Sequence, residues 1–268
     1  MTDTAEHGRT LALAGETRVA VAGDWHGSAL WLQTIIPAIH RSAPDVQSIL
    51  HVGDFGIFPD RRGKRFLNAV DRSCLAVGIK RVLVTPGNHD HWPRLDQRFE
   101  HRPGQPAQLS KTVWVLPRGY RFNLAGRSFM SFGGAASLDA ARRRTSGTWW
   151  PTEMPTNDDV AAAVSGGPVE VLVTHEAIEG GTLRVQSVID ENPMNWDSQA
   201  LAYSALSRSR VTEVWSGVHP LVLAHGHIHV ADTMTLPNGQ RIYSLGANGQ
   251  KKNVGLLQLA DLAWTWID

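Results

Sequence analysis

The chain has 268 residues, 42% of them apolar, and a formal net charge of +1. This length and composition allow one sizeable core and argue against two independent domains, so we expect a single domain over residues 1–268. The balanced charge neither favours nor excludes an anionic partner. No run of like charges indicates a specific nucleic-acid partner.

The cysteine content bears on the cellular compartment. Cys74 is the only cysteine, which excludes an internal disulfide and favours a reducing cytoplasm. It lies on a probable helix with an apolar face, where a buried small hydrophobe is a better interpretation than a nucleophile. The first ten residues are polar, and no apolar stretch is long enough to cross a bilayer. We therefore expect a soluble cytoplasmic protein with no membrane partner.

Short β-branched runs alternate with helical patterns in the first half of the chain. Strands are predicted at 17–23, 46–53 and 81–85, and helices at 30–39 and 66–77. Alternation of strand and helix implies parallel strands joined by right-handed crossovers.

The second half is richer in strand patterns. Extended runs are predicted at 113–116, 127–132, 169–174, 221–224 and 256–267. A turn at Asn238-Gly239 predicts a hairpin over 235–242, and residues 198–207 predict a helix. Residues 139–156 are the least regular stretch, which predicts an insertion near the functional site. We expect an α/β domain of two packed sheets with helices outside.

Polar side chains follow five of the predicted strands, at the point where each strand ends. They form the groups Asp24-Trp-His26, Gly53-Asp54, Gly87-Asn-His-Asp90, His175 and Gly226-His-Ile-His229. In open α/β sheets, ligands bind outside the carboxyl ends of the strands. Five distant parts of the sequence are therefore expected to meet at one rim.

This mixture of carboxylate, amide and imidazole groups suits two divalent metal ions. Mn is the ion we favour, with Fe, Zn, Co or Ni as alternatives, because the groups include no soft thiolate. Two ions about 3.5–4 Å apart clamp the attacking and leaving oxygens of an in-line displacement, and a hydroxide bridging them attacks phosphorus at neutral pH. A neutral Asn oxygen adds a ligand without repelling an anionic phosphate.

Each motif alone has an ordinary structural alternative. A D-x-H occurs often by chance, Gly-Asp is a common turn, and a single His after a strand is usually a hydrogen-bonded core residue. Gly-Asn-His-Asp and Gly-His-x-His are more specific, because each concentrates polar groups directly after an apolar strand. The order of all five motifs, each at a strand end, favours a metal site over coincidence.

The five motifs in this order resemble the calcineurin-like metallophosphoesterase superfamily, over residues 24–229. The chain looks most like the small bacterial and phage phosphodiesterases, with a motif set like that of the class III cyclic-nucleotide phosphodiesterases. The resemblance implies a four-layer α-β-β-α sandwich of two packed mixed sheets flanked by helices. It also implies a dinuclear phosphoesterase acting on a nucleotide or a similar small phosphodiester.

The resemblance further implies a role for each motif residue. One ion is held by Asp24, His26 and His229, the other by Asn88, His175 and His227, and both are bridged by Asp54. His89 is implied to approach the phosphate, stabilise the developing charge and protonate the leaving oxygen. Asp90 is implied to orient His89 and support its charge.

Candidate substrate contacts are aromatic residues in or beside the motifs and aromatic and basic residues of the irregular segment 139–156. Trp25, Trp92 and Trp149 offer faces on which a base can stack, with core packing as the alternative. Arg142 and Arg143 are suited to meet phosphate or base edges.

His225 lies on the same face of an extended chain as His227 and His229. It either supports those two residues from behind or caps the end of its strand, and the sequence leaves both alternatives open.

One departure from the family pattern narrows the substrate class. Protein Ser/Thr phosphatases of the superfamily have G-D-x-V-D-R-G at the second motif, whereas residues 53–60 read G-D-F-G-I-F-P-D. The arginine that would clamp a phosphoprotein is absent at that position, which disfavours such a substrate. A phosphomonoesterase, a nucleotide pyrophosphatase and a catalytically silent metal-binding scaffold stay open as alternatives.

Overall fold

A computed structural model describes residues 9–11 and 13–267 of the chain. The expectation for the first ten residues falls largely outside this range. Within it, no helix is both long and apolar enough to span a bilayer. Cys74 is free and buried, as expected of a small hydrophobe.

The described residues form fourteen strands and seven α-helices. The strands are β1 (Arg9–Thr10), β2 (Arg18–Ala22), β3 (Ser48–His51), β4 (Arg81–Val84), β5 (Ala107–Gln108), β6 (Val113–Val115), β7 (Tyr120–Leu124), β8 (Arg127–Phe132), β9 (Val171–Thr174), β10 (Val222–His225), β11 (Asp232–Thr235), β12 (Arg241–Ser244), β13 (Val254–Gln258) and β14 (Trp264–Ile267). The helices are α1 (Ala29–Ser42), α2 (Arg61–Ala76), α3 (Trp92–His101), α4 (Ala140–Thr145), α5 (Asn157–Ser165), α6 (Leu183–Glu191) and α7 (Ser198–Val218), with a 3₁₀ turn at Pro151–Glu153.

The strands form two seven-stranded mixed sheets. The first has the order β14-β13-β2-β3-β4-β6-β5, and the second has the order β1-β7-β8-β9-β10-β12-β11. In the first sheet β2, β3, β4 and β6 run parallel, while β13, β14 and β5 pair antiparallel at its two sides. In the second sheet β8, β9, β10 and β12 run parallel. The expected class of two mixed sheets with flanking helices is confirmed.

The pleat of β2 shows how the layers are built. Val19 and Val21 belong to the core between the sheets, whereas Ala20 and Ala22 belong to the core beneath α1 and α2. Both faces of the strand are therefore buried, and this explains its continuous apolar sequence. A third core lies between the second sheet and helices α5 and α7.

Several elements differ from the sequence-based prediction. α7 runs to Val218, well beyond the predicted end at residue 207. The prediction stopped early because Ser204, Ser207 and Arg208 interrupt the apolar pattern, although all three are buried in the fold. The hairpin is confirmed as β11 and β12, but residues 236–240 connect them, so its loop is longer than a two-residue turn. Residues 139–156 contain α4 and the 3₁₀ turn.

Candidate metal centre and active site

The predicted ligands follow the ends of strands from both sheets. Asp24, Asp54 and Asn88 come after β2, β3 and β4 of the first sheet, and His175 and His227 come after β9 and β10 of the second. Because parallel strands in each sheet end at the same edge, the two sheets bring these residues to one rim.

Four residues form a compact first group of ligand atoms. One atom each from Asp24, His26, Asp54 and His229 lies within 4.8 Å of the other three. Nε2 of His229 is 3.0 Å from Oδ2 of Asp24, and Nε2 of His26 is 3.5 Å from Oδ2 of Asp54. The other Asp24 oxygen is buried and has no hydrogen-bond partner among the described residues. Oxygen and imidazole donors so grouped, with one carboxylate oxygen unpartnered, fit a divalent cation.

A second group lies on the other side of Asp54. Oδ1 of Asn88 is 2.9 Å from Nε2 of His175, and the same nitrogen is 3.4 Å from Oδ1 of Asp54. The ring centroids of His175 and His227 are 5.0 Å apart. Asp54 thus contacts residues of both groups, one through each of its carboxylate oxygens.

The imidazoles are held by hydrogen bonds on their far nitrogens. Nδ1 of His175 lies 2.9 Å from the carbonyl of Val52, and Nδ1 of His26 lies 2.9 Å from Oδ1 of Asn248. A ring that donates from Nδ1 to these oxygens turns Nε2 toward the carboxylates, where it can bind a cation once it has lost its proton. This is the arrangement by which proteins fix a metal-binding tautomer.

The backbone at the site adopts an uncommon conformation. His26, Asp54, His227 and His229 all have left-handed φ values, between 49° and 68°. Non-glycine residues are uncommon in this region and gather at functional sites, where the surrounding structure holds them.

Two motif glycines give the carboxylates room. A Cβ at Gly226 would lie 2.1 Å from Oδ1 of Asp24, and a Cβ at Gly87 would lie 2.2 Å from Oδ1 of Asp54. No side chain fits at either position without displacing a carboxylate, so these glycines are part of the site.

The carboxylates concentrate negative potential at the centre. Burial opposes protonation of His175, but Asp54 and Asp24 outweigh it and raise the pKa of the ring to about 10. Burial likewise opposes protonation of His26, yet the hydrogen bond and charge of Asp54 raise its pKa to about 9. The site therefore attracts positive charge, whether carried by protons or by metal ions.

His89 stands beside this centre without belonging to either ligand group. Its backbone N–H donates to Oδ1 of Asp54 at 2.7 Å, and its ring centroid is 6.0 Å from that of His26. Burial lowers the pKa of His89, with Asp54 opposing the shift. A partly buried imidazole at this position is placed to exchange a proton with a phosphate ester bound at the centre.

The expected contact between Asp90 and His89 is not the arrangement in the structure. The Asp90 carboxylate is fully buried and accepts hydrogen bonds from the backbone N–H groups of Phe55, Gly56, Ile57 and Gly87, at 2.9–3.3 Å. Both oxygens are taken up by these donors, and no hydrogen bond to the His89 ring occurs among the described residues. Asp90 joins the loops after β3 and β4.

Trp25 and Trp92 are core residues. Trp25 is 0% exposed, and its Nε1 donates to Oδ1 of Asn253 at 3.2 Å. Trp92 is 2% exposed, donates to the carbonyl of Gly87 at 2.9 Å and lies under the guanidinium of Arg118. The burial of both rings favours core packing over the substrate-stacking role expected for these two residues.

Arg143 is also buried and bonded to protein groups. It is buried, donates to the carbonyl of Asn88 at 3.0 Å and to Oγ of Ser137, and lies 3.3 Å from Glu153. Ser137 in turn accepts from Nδ2 of Asn88 at 2.9 Å. Arg143 therefore positions a candidate ligand from behind, which favours a structural role over the expected substrate contact.

The remaining substrate candidates are Arg142 and Trp149. Arg142 is exposed on a cleft wall and pairs with Asp139. Trp149 lies under the guanidinium of Arg144 and lines neither of the clefts beside the centre, whereas its neighbour Trp150 does. The position expected for Trp149 thus belongs to Trp150.

His225 is fully buried. Its Nδ1 lies 3.2 Å from the carbonyl of Gly226, and Nε2 has no partner within the described part of the chain. Burial lowers its pKa to about 4. The local backbone contact matches the strand-end cap rather than support of the motif histidines.

Two residues that sequence reasoning missed contact the ligands. Asn248 follows β12 and holds both His26 and, through its own N–H, the carbonyl of Asp24 at 2.7 Å. Glu176 is buried next to His175, with Oε2 3.8 Å from Nε2 of His227. The strand-end rule, applied to β12 as to the other strands, points to Asn248.

Two clefts meet at His89 and Asp139. The metal cleft has a volume of about 410 Å³ and is lined by Asp54, Asn88, His89, Leu138, Asp139, Val188, Pro193, Met194, Trp196, His227, Ile228, His229 and Gln250. The Trp150 cleft has a volume of about 440 Å³ and is lined by Phe58, Pro59, Asp60, Arg62, His89, His91, Asp139, Arg142, Arg143, Ser146, Gly147, Thr148 and Trp150. A ligand at the centre therefore has open space on both sides of His89.

The two-sheet fold and an Asp/His rim suited to divalent metal define the metallophosphoesterase class. The family model for calcineurin-like phosphoesterases matches residues 17–231. The chain belongs to this family, whose chemistry is metal-dependent hydrolysis of phosphate esters.

Solved structures share this fold at low sequence identity. Phosphopantetheinyl hydrolase (PptH) from Mycobacterium tuberculosis is 14% identical, with 90% of this chain and 96% of that chain covered and a TM-score of 0.53. A dimetal phosphatase from Danio rerio is 12% identical, with 91% and 92% covered and a TM-score of 0.54. The protein TT1561 of Thermus thermophilus is 11% identical, with 93% and 97% covered and a TM-score of 0.56. These likenesses concern the fold alone, and no curated protein matches the sequence.

Proposed function

We propose that the protein is a phosphodiesterase that hydrolyses a small phosphodiester, such as a nucleotide, at a dinuclear metal centre. The observation that carries the proposal is the meeting of two clefts at His89, directly beside Asp54 and Asn88. A diester has substituents on two of its oxygens, and each cleft offers space for one of them. A monoester would need only one.

The ligands proposed for the two ions are the two groups of side chains described above. Asp24, His26 and His229 would hold one ion, Asn88, His175 and His227 the other, and Asp54 both. Bound divalent ions would supply charge neutralisation at phosphate and a water nucleophile of lowered pKa. Mn is the ion we propose, because oxygen and imidazole donors without thiolate suit it.

The chain's own residues would position the ester and move a proton. His89 is placed to stabilise charge on a phosphate at the centre and to protonate the leaving oxygen. Arg143 and Ser137 hold Asn88, and Asn248 holds His26. The buried free Cys74 accords with the cytoplasmic location that we propose.

Paired assays separate a diesterase from the alternatives. With added Mn, we expect faster turnover of bis(p-nitrophenyl) phosphate than of p-nitrophenyl phosphate. Preference for the monoester would contradict the proposal and favour a phosphomonoesterase. No turnover of either ester by metal-loaded protein would favour a metal-binding scaffold.

The bridging role of Asp54 has its own test. Because Asp54 contacts both ligand groups, Asp54→Ala should reduce occupancy at both metal sites, as measured by elemental analysis after dialysis. Loss of only one ion per chain would contradict the bridging role.

A further inference from the structure

The Trp150 cleft continues away from the metal centre. It shares Pro59 and Asp60 with a third cleft, of about 680 Å³, which we call the basic cleft. Its lining residues are Pro59, Asp60, Arg61, Lys64, Leu67, Asn68, Asp71, Arg94, Leu109, Ser110 and Lys111. The Trp150 cleft thus adjoins the metal cleft on one side and the basic cleft on the other, and the three together offer room for a substrate longer than a mononucleotide.

The Trp150 cleft and the basic cleft are lined in part by positively charged side chains that form no ion pair with any residue that the structure describes. Arg61, Arg62, Lys64 and Lys111 are exposed, and none of them has a carboxylate within ion-pair distance among the described residues. Because the whole chain carries a net charge of only +1, this concentration is a property of the surface and not of the composition. Cations gathered along a groove attract a polyanion.

The carboxylates of the basic cleft face backbone amides. Asp60 accepts from the N–H groups of Arg62 and Gly63 at the start of α2, at 3.0 and 3.2 Å. Asp71 accepts from the N–H groups of Lys111 and Thr112, at 3.1 and 2.8 Å. Both acids have structural partners, so neither is paired with the lysine or arginine side chains beside it.

Aromatic side chains are interleaved with the cations. The guanidinium of Arg62 lies 4.4 Å from the ring centroid of Phe58. Trp150 is half-buried, with its ring edge-on to His91 at a centroid distance of 5.0 Å. A basic groove with aromatic faces is the combination by which proteins hold single-stranded nucleic acid, because unpaired bases stack on the rings while cations follow the phosphates.

We propose that the substrate is a single-stranded oligonucleotide lying along the three clefts. This inference rests on the proposed phosphodiesterase function. One phosphodiester lies at the metal centre, and the following phosphates lie along the cations of α2 and Lys111. Water adds at phosphorus and one P–O ester bond breaks, which leaves one product with a terminal phosphate and the other with a terminal hydroxyl.

The sequence alone did not predict this surface, and the expectation was that the protein has no specific nucleic-acid partner. Arg61 and Lys64 come from α2, Arg94 comes from α3, and Lys111 precedes β6. The cations become neighbours only in the fold, so the sequence contains no basic tail to indicate them.

Binding is measured by fluorescence anisotropy with a labelled oligothymidine of about 12 nucleotides, a length that one such groove can hold. EDTA keeps the strand intact. With four unpaired cations, the wild-type plot of log affinity against log salt should have a slope of about −3. In the double variant Lys64→Gln, Lys111→Gln, two cations remain and the slope should be about −1.5. The control variant Arg41→Gln, Lys80→Gln removes two exposed cations outside the three clefts and should keep the wild-type slope. Equal slopes for the two double variants would overturn the inference.

Turnover with Mn separates this inference from the proposed function. We expect the double variant Lys64→Gln, Lys111→Gln to lower the ratio of oligonucleotide turnover to bis(p-nitrophenyl) phosphate turnover about tenfold. Hydrolysis of the small diester without hydrolysis of the oligonucleotide would overturn the inference and leave the phosphodiesterase standing. Failure to hydrolyse either substrate would overturn both.

Discussion

Replacing Gly226 by alanine tests the metal centre with a single methyl group. The new Cβ would lie 2.1 Å from Oδ1 and 3.1 Å from Cγ of Asp24, and 3.0 Å from Cγ2 of Val52. Ordinary contacts begin near 3.4 Å, so the carboxylate must move by more than about 1 Å. Asp24 has little freedom to do so, because it is fully buried and its Oδ2 is 3.2 Å from the N–H of His227 and 3.0 Å from Nε2 of His229.

We expect Gly226→Ala to lower turnover of bis(p-nitrophenyl) phosphate about 100-fold, the usual effect of misplacing an active-site group by 1 Å. Metal content should fall with it, whereas overpacking should cost only about 1–3 kcal/mol of folding free energy. Elemental analysis, Mn-dependent rates and denaturation in EDTA measure the three effects separately.

The matched control is Gly181→Ala, because the nearest atoms to its new Cβ are 3.3 and 3.4 Å away, on Ile178. That variant should retain the metal content and rate of the wild type. Full metal occupancy and full rate in Gly226→Ala would refute the assignment of Asp24 as a ligand whose position the glycine protects.

Three further variants separate catalysis, folding and proton binding. His89→Ala should lower turnover at least about 100-fold while metal content stays at the wild-type level, and unchanged turnover would exclude a catalytic role. The two oxygens of Asp90 accept from four N–H groups, and Asp90→Asn leaves only one acceptor oxygen. The variant should therefore lower the free energy of unfolding in EDTA by about 3 kcal/mol or more. A decrease of less than about 1 kcal/mol would contradict this structural role. Burial raises the pKa of Glu153 from 4.5 to about 7, so the folded state binds its proton more tightly than the unfolded state does. As pH rises from 4.5 through 7, the free energy of unfolding of the wild type should therefore fall by up to about 3 kcal/mol relative to that of Glu153→Gln. Denaturation measured across this pH range checks this, and parallel profiles for the two proteins would contradict the pKa shift.

The sequence predicted the rim because strand ends are a local property. Asp24, Asp54 and His175 each follow a run of apolar residues that is buried on both faces, and such a run is readable without knowledge of the partner strands. The position of a candidate ligand at a strand end therefore follows from the pattern alone. The first parallel strands and the hairpin of β11 and β12 were predicted from such local patterns as well.

The side chains around the rim were not readable in this way. Trp25 lies inside the first motif and Trp150 lies in the irregular segment, yet packing buries the first in the core and places the second on a cleft wall. Asp90 looks like a catalytic partner in the motif, yet its carboxylate meets amides from a loop more than thirty positions earlier in the chain. Contacts between residues so distant in the sequence depend on the tertiary structure, and no periodic sequence pattern predicts them.

The buried carboxylate of Asp90 has a consequence for how the centre moves. By receiving amides from residues 55–57 and from residue 87, it fastens the segment that carries Asp54 to the segment that carries Asn88. We therefore expect the two segments to shift together, so that thermal motion changes the distance between Asp54 and Asn88 less than it changes their distance from the second sheet. A group with no hydrogen bond to the predicted catalytic histidine would thereby stiffen the part of the site that comes from the first sheet.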